Sequence, residues 1–382
     1  MTIVFTGGGT GGHFYPIIAI AEAVNDVVRQ KQLVAPTLYY LAPDPFDAEA
    51  LFENRIIFVR VPAGKVRRYF SMQNISDLFV TLWGTIIAFI TLLRLYPDVL
   101  VSKGGYASVP SLLAARILRI PVIIHESDAK PGRGSLLGAR FAAKIATAFE
   151  SAATYFPKKT RSKIARTGIP VRKALARIEP ESGEAARQYL NLEQHIPTIF
   201  ILGGSQGATR INEAVLSALP DLVAFASVIH QTGPNNQANV ESIAKVILAE
   251  NGHASRYHPF GYLSENAMKR AAGAADIVIS RAGASSIAEI GLWKKPSIII
   301  PIPEAVSHDQ RTNAYAYART GAAVVIEEEN IAPHLLVAEA KRILGNQALR
   351  KSMGEAAASF GDPDAANIIA SAVLDIALSH EA

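Results

Sequence analysis

Residues 2–16 read TIVFTGGGTGGHFYP: a β-branched run, five glycines in the six positions 7–12 interrupted only by Thr10, then His13 and two aromatic rings. From Thr198, 196 positions later, TIFILGGSQGATRINEAV repeats the arrangement of strand, glycine turn and amphipathic helix. A glycine turn leading into a helix N-terminus lets backbone N–H groups approach a diphosphate, and the helix dipole favours its charge. Two such openings imply two doubly wound domains in tandem. Ligands of such sheets sit at the carboxyl ends of the strands, so two facing domains would share one cleft.

The intervening sequence agrees. The short runs IVF, TLYYL, IIFV, DVLVS, PVIIH, TIFIL, ASVIHQ, DIVIS, PSIII and AAVVI alternate with stretches of i, i+3, i+4 apolar spacing such as IIAIAEAVNDVV (17–28) and INEAVLSAL (211–219). This is the signature of parallel sheets covered by helices on both faces, an α/β protein of two Rossmann-like domains. A length of 382 residues suits two domains of ordinary size. The boundary is expected where ARTGIPVRKALARIEPESG (165–183) breaks the periodicity, giving domains 1–163 and 164–361.

The chain has no cysteine, which excludes a disulfide framework and a thiolate metal site. A strand begins within two residues of the start with no charged segment before it, which reads as cytoplasmic. Residues 1–163 hold 19 Lys+Arg against 11 Asp+Glu (+8), and the remainder 19 against 22 (−3). A basic half points to a phosphate-bearing partner, either nucleic acid or an anionic membrane surface. The apolar run LFVTLWGTIIAFITLL (78–93) spans as a helix roughly 24 Å, short of a ~30 Å hydrocarbon core. With Thr81, Gly84, Thr85 and Thr91 scattered in it, a core helix is expected, the alternative being a helix with one face on a membrane.

A nicotinamide site needs an acid about 20 residues beyond the glycines. The first candidate, Asp44, stands about 32 residues past Gly12, and no acid ends ASVIHQ, so dinucleotide binding is disfavoured. Four segments instead follow strand ends: GGGTGGHFYP (7–16), HESDAKPG (125–132), GGSQGA (203–208) and SRAGASSIAEIG (280–291). In the last, small residues open a helix and Glu289 follows a turn later, placed to accept hydrogen bonds from vicinal ribose hydroxyls; an N-terminal cap with a first-turn acid would look the same. Asp362-Pro363-Asp364 has the D-x-D form of a metal site but reads better as the start of the C-terminal helix, with one aspartate as cap and the other in the first turn.

The combination of GGTGGH with a following proline, SKGGYASVP (102–110), HESD, TGIPVR (167–172), GGSQGA, SRAGASSIAEI and HDQRTNA (308–314), in this order, resembles the MurG family of bacterial N-acetylglucosaminyltransferases of peptidoglycan assembly. The resemblance covers nearly the whole chain. It implies a GT-B fold, with a helix over about 362–382 packed back onto the first domain. It implies transfer of N-acetylglucosamine, with inversion, from UDP-N-acetylglucosamine to the 4-hydroxyl of the muramyl sugar in undecaprenyl-diphosphate-MurNAc-pentapeptide. It also implies a peripheral place on the cytoplasmic membrane face, an anionic membrane rather than nucleic acid as partner, and no metal or cofactor. Carried over by motif, the substrate contacts fall on Thr10, Gly11, Gly12, Arg172, Ser205, Gln206, the run Ala284, Ser285, Ser286, Ile287, Ala288 and Glu289, and Gln310, with Tyr262 the nearest match in the loop after PFGYL. Many members carry an asparagine where this chain has Asp128; a carboxylate accepts from a sugar hydroxyl or exchanges protons, but does not donate as an amide does.

Attack of an alcohol on an anomeric carbon needs one general base and support for the departing UDP. His13, at the mouth of the first glycine turn, is the first candidate for the base, and Glu126 the second. The alternatives are a transferase of this fold with another lipid or natural-product acceptor, and a nucleotide-sugar-binding protein without turnover.

Overall fold

Among the residues described by the computed structural model, 1–65, 73–176, 182–204, 207–304 and 308–379, the β-branched runs form two wholly parallel sheets. The first contains β1 (Thr2–Thr6), β2 (Thr37–Ala42), β3 (Ile56–Arg60), β4 (Val99–Ser102), β5 (Val122–Glu126), β6 (Lys144–Thr147) and β7 (Ile164–Arg166), in the order β3-β2-β1-β4-β5-β6-β7. The second contains β8 (Thr198–Leu202), β9 (Ser227–Gln231), β10 (Tyr257–Phe260), β11 (Ile277–Arg281), β12 (Ser297–Ile300) and β13 (Ala323–Val325), in the order β10-β9-β8-β11-β12-β13. Strand order reverses between β1 and β4 in one sheet and between β8 and β11 in the other. Those are the switch points at which doubly wound sheets open toward ligands. Each glycine turn follows a strand at such a point.

Ten of these strands were expected; β6, β7 and β10 were not. KIAT and IAR are four and three residues long, and YHPF carries Pro259 and His258, so none offers an apolar run. β7 and β10 are edge strands, where proline and charge are tolerated because one side of the ladder is open.

The chain divides into one unit of Met1–Arg172 with Pro363–Ala382 and another of Lys173–Asp362. The expected boundary after residue 163 falls short because Ile164–Arg166 adds a seventh strand to the first sheet. In the first unit, alternate strand residues face opposite layers. Ile3 and Phe5 pack with Phe14, Ile17 and Val24 of the helix Gly11–Gln30 and with Ile369, Val373 and Leu374 of the helix Ala365–Leu378. Val4 packs with Ala88, Leu92 and Leu112 on the other side. The last helix begins at Ala365 with Asp364 at its N-cap position, so the expectation of an aspartate within the first turn is corrected by two residues. In the second unit Ile199 and Ile201 join Val215, Leu219, Val240 and Leu336 in one buried cluster.

The apolar run departs most from expectation. It lies in a helix of 23 residues, Gln73–Leu95, long and apolar enough by length and composition to cross a membrane. Its large residues Ile75, Leu78, Phe79, Leu82, Trp83, Ile86, Ile90 and Leu93 are all exposed, spaced by three or four, and form one stripe. The buried side mixes small and hydroxylated residues with Leu92, and Ile87 and Phe89 pack partly against the core. Ala88 and Leu92 enter the core, Thr81 Oγ1 accepts from Gly64 N at 3.1 Å and donates to Asp77 O at 2.8 Å, and Thr85 Oγ1 donates to Thr81 O at 2.8 Å. This is a core helix on one side only, and the expectation of a largely buried helix is overturned. The scattered Thr81, Gly84 and Thr85 mark the face that packs.

Close packing there depends on Gly84, where a Cβ would stand 1.8 Å from the Pro62 carbonyl oxygen and 3.3 Å from Pro110 Cγ. Alanine in place of a mid-helix glycine ordinarily stabilises by about 1 kcal/mol, whereas overpacking against backbone costs about 1–3 kcal/mol. The clash with a main-chain oxygen wins. Gly84→Ala is expected to destabilise the protein by up to about 2 kcal/mol, a net of those two terms, read as a lower midpoint in thermal unfolding; a raised midpoint would show that the helix moves away from residues 62–64 without loss.

Candidate active site

The functional end of the first unit is built from the segments leaving β1, β4 and β5. After β1 the chain runs through Gly7, Gly8 and Gly9 at φ of 145°, 138° and 92°, and enters the helix Gly11–Gln30 with Thr10 as N-cap. Gly7 is required by a close approach, since a Cβ there would meet Lys103 Cβ at 2.8 Å. The Tyr40 hydroxyl donates to the Gly7 carbonyl at 2.7 Å and locks the turn from the neighbouring strand. Thr10 makes no side-chain cap, and Gly9, Thr10 and Gly12 are exposed, so the helix N-terminus opens to solvent.

His13 sits in the first turn of that helix, half-buried, its N–H donating to Thr10 O at 3.1 Å. Its Nδ1 is buried and has no hydrogen-bond partner among the described residues. Burial and the nearby Lys103 ammonium pull the imidazole down to about 4, while Asp128 acts in the opposite sense. It is a neutral base at physiological pH.

Lys103, which the sequence reading left without a role, is 1% exposed. It follows β4, and its ammonium donates to the Ser127 hydroxyl. Burial lowers its basicity, with Glu126 and Asp128 opposing. The signal was present in SKGGY: a lysine between an apolar strand and two glycines enters the interior with the strand end. Glu126, 3% exposed at the end of β5, uses both carboxyl oxygens on its own loop, accepting from Asp128 N at 2.9 Å and Gly132 N at 3.1 Å. Burial and the neighbouring Asp128 push it up to about 7, with Lys103 opposing. His125 Nε2 donates to Gly168 O at 3.0 Å, tying β5 to the TGIPVR segment, and burial holds the ring neutral. Arg172 ends that segment and the first unit, with its guanidinium 4.3 Å from the centroid of Tyr15.

In the second unit the turn after β8 begins at Gly203 and resumes at Gly207, with Gln231 Nε2 donating to Gly204 O at 3.2 Å. The expected contacts Ser205 and Gln206 lie outside the described residues. After β11, Gly283 leads into the helix Ala284–Leu292, which has no side-chain N-cap. Ser285 Oγ is buried without a partner among the described residues, Ser286 is half-buried, Ala284, Ile287 and Ala288 are buried, and Glu289 is half-buried one turn on. Gln310, in the helix His308–Ala318, accepts from Ile302 N at 3.3 Å at the end of β12, and Asn313 Nδ2 donates to Ala282 O at 3.4 Å. These residues come together beyond the carboxyl ends of β11 and β12. Tyr262, 57% exposed, follows the edge strand β10.

Known proteins share the two parallel-sheet domains. The model of the glycosyltransferase family 28 N-terminal domain matches residues 3–147, and that of the C-terminal domain matches residues 198–369. The chain belongs to glycosyltransferase family 28. It is 34% identical over 96% of its length, and 96% of the relative's, to the UDP-N-acetylglucosamine--N-acetylmuramyl-(pentapeptide) pyrophosphoryl-undecaprenol N-acetylglucosamine transferase of Treponema denticola. It is also 34% identical to the protein of that name numbered 2 from Bacillus cereus, over 92% of this chain and 93% of the other. Among solved structures it superposes on Acinetobacter baumannii MurG with a TM-score of 0.73 and 25% identity, over 98% of this chain and 99% of that one. Within family 28 it is therefore a MurG-type glycosyltransferase, and its two parallel-sheet domains are those of the GT-B fold.

For a family 28 enzyme with this geometry, the state of His13 is directly measurable. In an NMR titration its ring is expected to stay neutral from pH 8 down past pH 6 and to take up a proton near pH 4, because burial and Lys103 pull it down to about 4. A midpoint at the ordinary value of about 6.5 would mean that burial and Lys103 do not act on it.

Proposed function

We propose that this glycosyltransferase moves N-acetylglucosamine from UDP-N-acetylglucosamine, with inversion, to the 4-hydroxyl of the muramyl sugar in undecaprenyl-diphosphate-MurNAc-pentapeptide, at the cytoplasmic face of the membrane. One observation carries the chemical part: a neutral, half-buried imidazole stands at an open helix N-terminus beyond the switch point of the first sheet. The names of the Treponema and Bacillus relatives support the donor and the acceptor.

In this reading His13 is the general base. As the acceptor oxygen bonds to the anomeric carbon, the imidazole takes its proton, and the bond from that carbon to the UDP oxygen breaks. The neutral form is the active one, so activity falls as pH drops through the His13 pKa and the acid limb lies below that of an ordinary histidine. Glu126, with both oxygens on loop N–H groups, shapes the loop that carries Asp128. Thr10, Gly11 and Gly12 lie along the substrate path, and Asp128 accepts from a sugar hydroxyl. In the second unit the N-terminus of the helix Ala284–Leu292 and the Ser285 hydroxyl take the UDP phosphates and support the leaving charge, together with Ser205 and Gln206. Glu289 accepts from the ribose hydroxyls, Gln310 addresses the sugar, and Arg172 and Tyr262 complete the donor contacts.

These assignments separate in one experiment. With UDP-N-acetylglucosamine and a short-chain lipid-diphosphate muramyl-pentapeptide, the protein should form the disaccharide product. His13→Ala should lower turnover by about 10²- to 10⁴-fold with UDP binding unchanged, whereas Glu289→Ala should weaken UDP binding by about 1.5–3 kcal/mol. Product formed only with another lipid or sugar acceptor would refute the acceptor, and no turnover with any acceptor would leave a binding protein. A strong turnover loss in Glu126→Gln with a mild one in His13→Ala would exchange the two roles.

The membrane part rests on the outward stripe of the helix Gln73–Leu95. A lipid-linked acceptor keeps its chain in the bilayer, since each buried CH₂ is worth about 0.8 kcal/mol, so the enzyme works at the surface. Just before this helix the sequence carries Arg67, Arg68, Tyr69 and Phe70, a basic and aromatic cluster suited to anionic lipid, which lies outside the described residues. The chain has two tryptophans: Trp83 on the stripe, 59% exposed, and Trp293, 4% exposed. Vesicles rich in phosphatidylglycerol should therefore shift tryptophan emission to the blue, mainly through Trp83, in a salt-sensitive way. Leu82→Asp with Ile86→Asp should remove the shift and leave UDP affinity unchanged. An unshifted spectrum in the native protein would refute membrane docking by this helix.

A further inference from the structure

Outside the residues already given roles, the most unusual group in the molecule is the enclosed ammonium of Lys103. We propose that Lys103 is a positioning residue for the transfer reaction: held on Ser127 and flanked by Glu126 and Asp128, its buried charge neutralises the carboxyl groups beside His13 and fixes the 125–132 loop beneath the glycine turn. The proposal rests on the reading of His13 as the base.

The geometry is specific. Gly7 leaves room for the start of the lysine stem, because any Cβ at that position would stand 2.8 Å from Lys103 Cβ. The backbone is held too, with Lys103 N donating to Thr6 O at 2.9 Å. An enclosed lysine without partners is strongly unfavourable, and this one has an immediate donor–acceptor partner in Ser127 and two carboxyl groups close enough to act on it. The groups that act on His13 are Lys103 after β4, whose ammonium lowers its basicity and whose backbone hydrogen bond raises it, and Asp128 after β5; the nearby His125 within β5 is held neutral. On its own helix the nearest polar ring, Tyr15, directs its hydroxyl to Asp47 at 3.3 Å.

Charge arithmetic then gives the role. With Lys103 present, the carboxyl groups of Asp128 and Glu126 face a cation, and Glu126 keeps both loop contacts. Remove the cation, and uncompensated anionic charge remains next to an imidazole. The histidine then holds a proton up to a higher pH, a protonated imidazole accepts none from an attacking hydroxyl, and transfer is lost at a higher pH than in the native protein. A lysine that merely filled space would leave the titration of His13 untouched.

The test measures the His13 titration by NMR and the pH dependence of kcat/KM on full-length protein. Lys103→Met, similar in length and uncharged, should move the His13 midpoint up from about 4 by a pH unit or more, and the acid limb of kcat/KM should move up by the same amount. Asp128→Asn should act in the opposite sense, leaving His13 neutral through pH 4, and the double variant should lie between the two. A folded Lys103→Met whose His13 midpoint does not move overturns the proposal. If that variant does not fold, the Asp128→Asn arm decides alone: no downward movement overturns it as well. Failure of the underlying reading is separate. It would show as near-normal turnover in His13→Ala while the His13 midpoint still shifts in the Lys103 and Asp128 variants.

Discussion

The carboxyl ends of β1, β4 and β5 converge on one buried ammonium, and much of the first unit's functional end follows from that constraint. A cation taken from water needs hydrogen bonds and countercharge, or it costs several kcal/mol. Ser127, Glu126 and Asp128 supply both, which obliges the chain after β5 to turn back over Lys103. Glu126 closes that turn by accepting from Asp128 N and Gly132 N. The lysine stem in turn excludes any side chain at Gly7, so the opening glycines serve packing as well as access. His13 then enters its helix at the edge of this charged cluster rather than in open solvent.

The two units share a frame but differ in what they place on it. Each has a glycine turn after the strand at its switch point and a helix N-terminus beyond it. In the first unit the strand ends carry ionisable groups, His13, Lys103, Glu126 and Asp128, that act on one another. Beyond β11 and β12 of the second unit stand Ser285, Gln310 and Asn313, neutral hydrogen-bonding groups, with Glu289 as the acid. A diphosphate is gripped by fixed dipoles, which need no change of protonation during the reaction. Proton transfer needs a group whose basicity is tuned, and tuning requires charges in a dry place. The proposed division, grip in one unit and proton transfer in the other, follows from those different demands.

Periodicity made most of the fold legible, because apolar strands bracketed by glycine turns have few alternative readings. It missed β6, β7 and β10 for a local reason: KIAT, IAR and YHPF are strands by virtue of the neighbour they pair with, not of their own residues. The unit boundary slipped by the same cause, since β7 was read as linker. Around the candidate site, motifs singled out His13, Glu126 and Asp128, which the fold brings to adjoining strand ends, but not Lys103. Pattern reading treats a lysine as surface, although its place in SKGGY between an apolar strand and two glycines carried the signal that the packing of Gly7 against its stem makes plain. Where Asp362 and Asp364 offered a metal pattern, Asp364 stands at an N-cap position, with its carbonyl accepting from Ile368 N at 2.9 Å.

The helix Gln73–Leu95 shows why composition alone misplaces an apolar segment. Hydropathy sums all faces, and this helix is hydrophobic enough for a core or a membrane. The distribution of size separates them. A core helix turns large residues inward to fill space and leaves polar ones outside. Here Thr81, Gly84, Thr85 and Ala88 face the protein together with Leu92 near the helix end, and Gly84 lets the helix lie against the Pro62 carbonyl, while Phe79, Leu82 and Trp83 face outward. Close approach by small residues supplies the packing that bulk would otherwise provide, and it frees the large side chains for another surface. The exposed apolar stripe is thus coupled to the integrity of the fold: the glycine and threonines that seat the helix on the first unit also set the direction in which its large residues point.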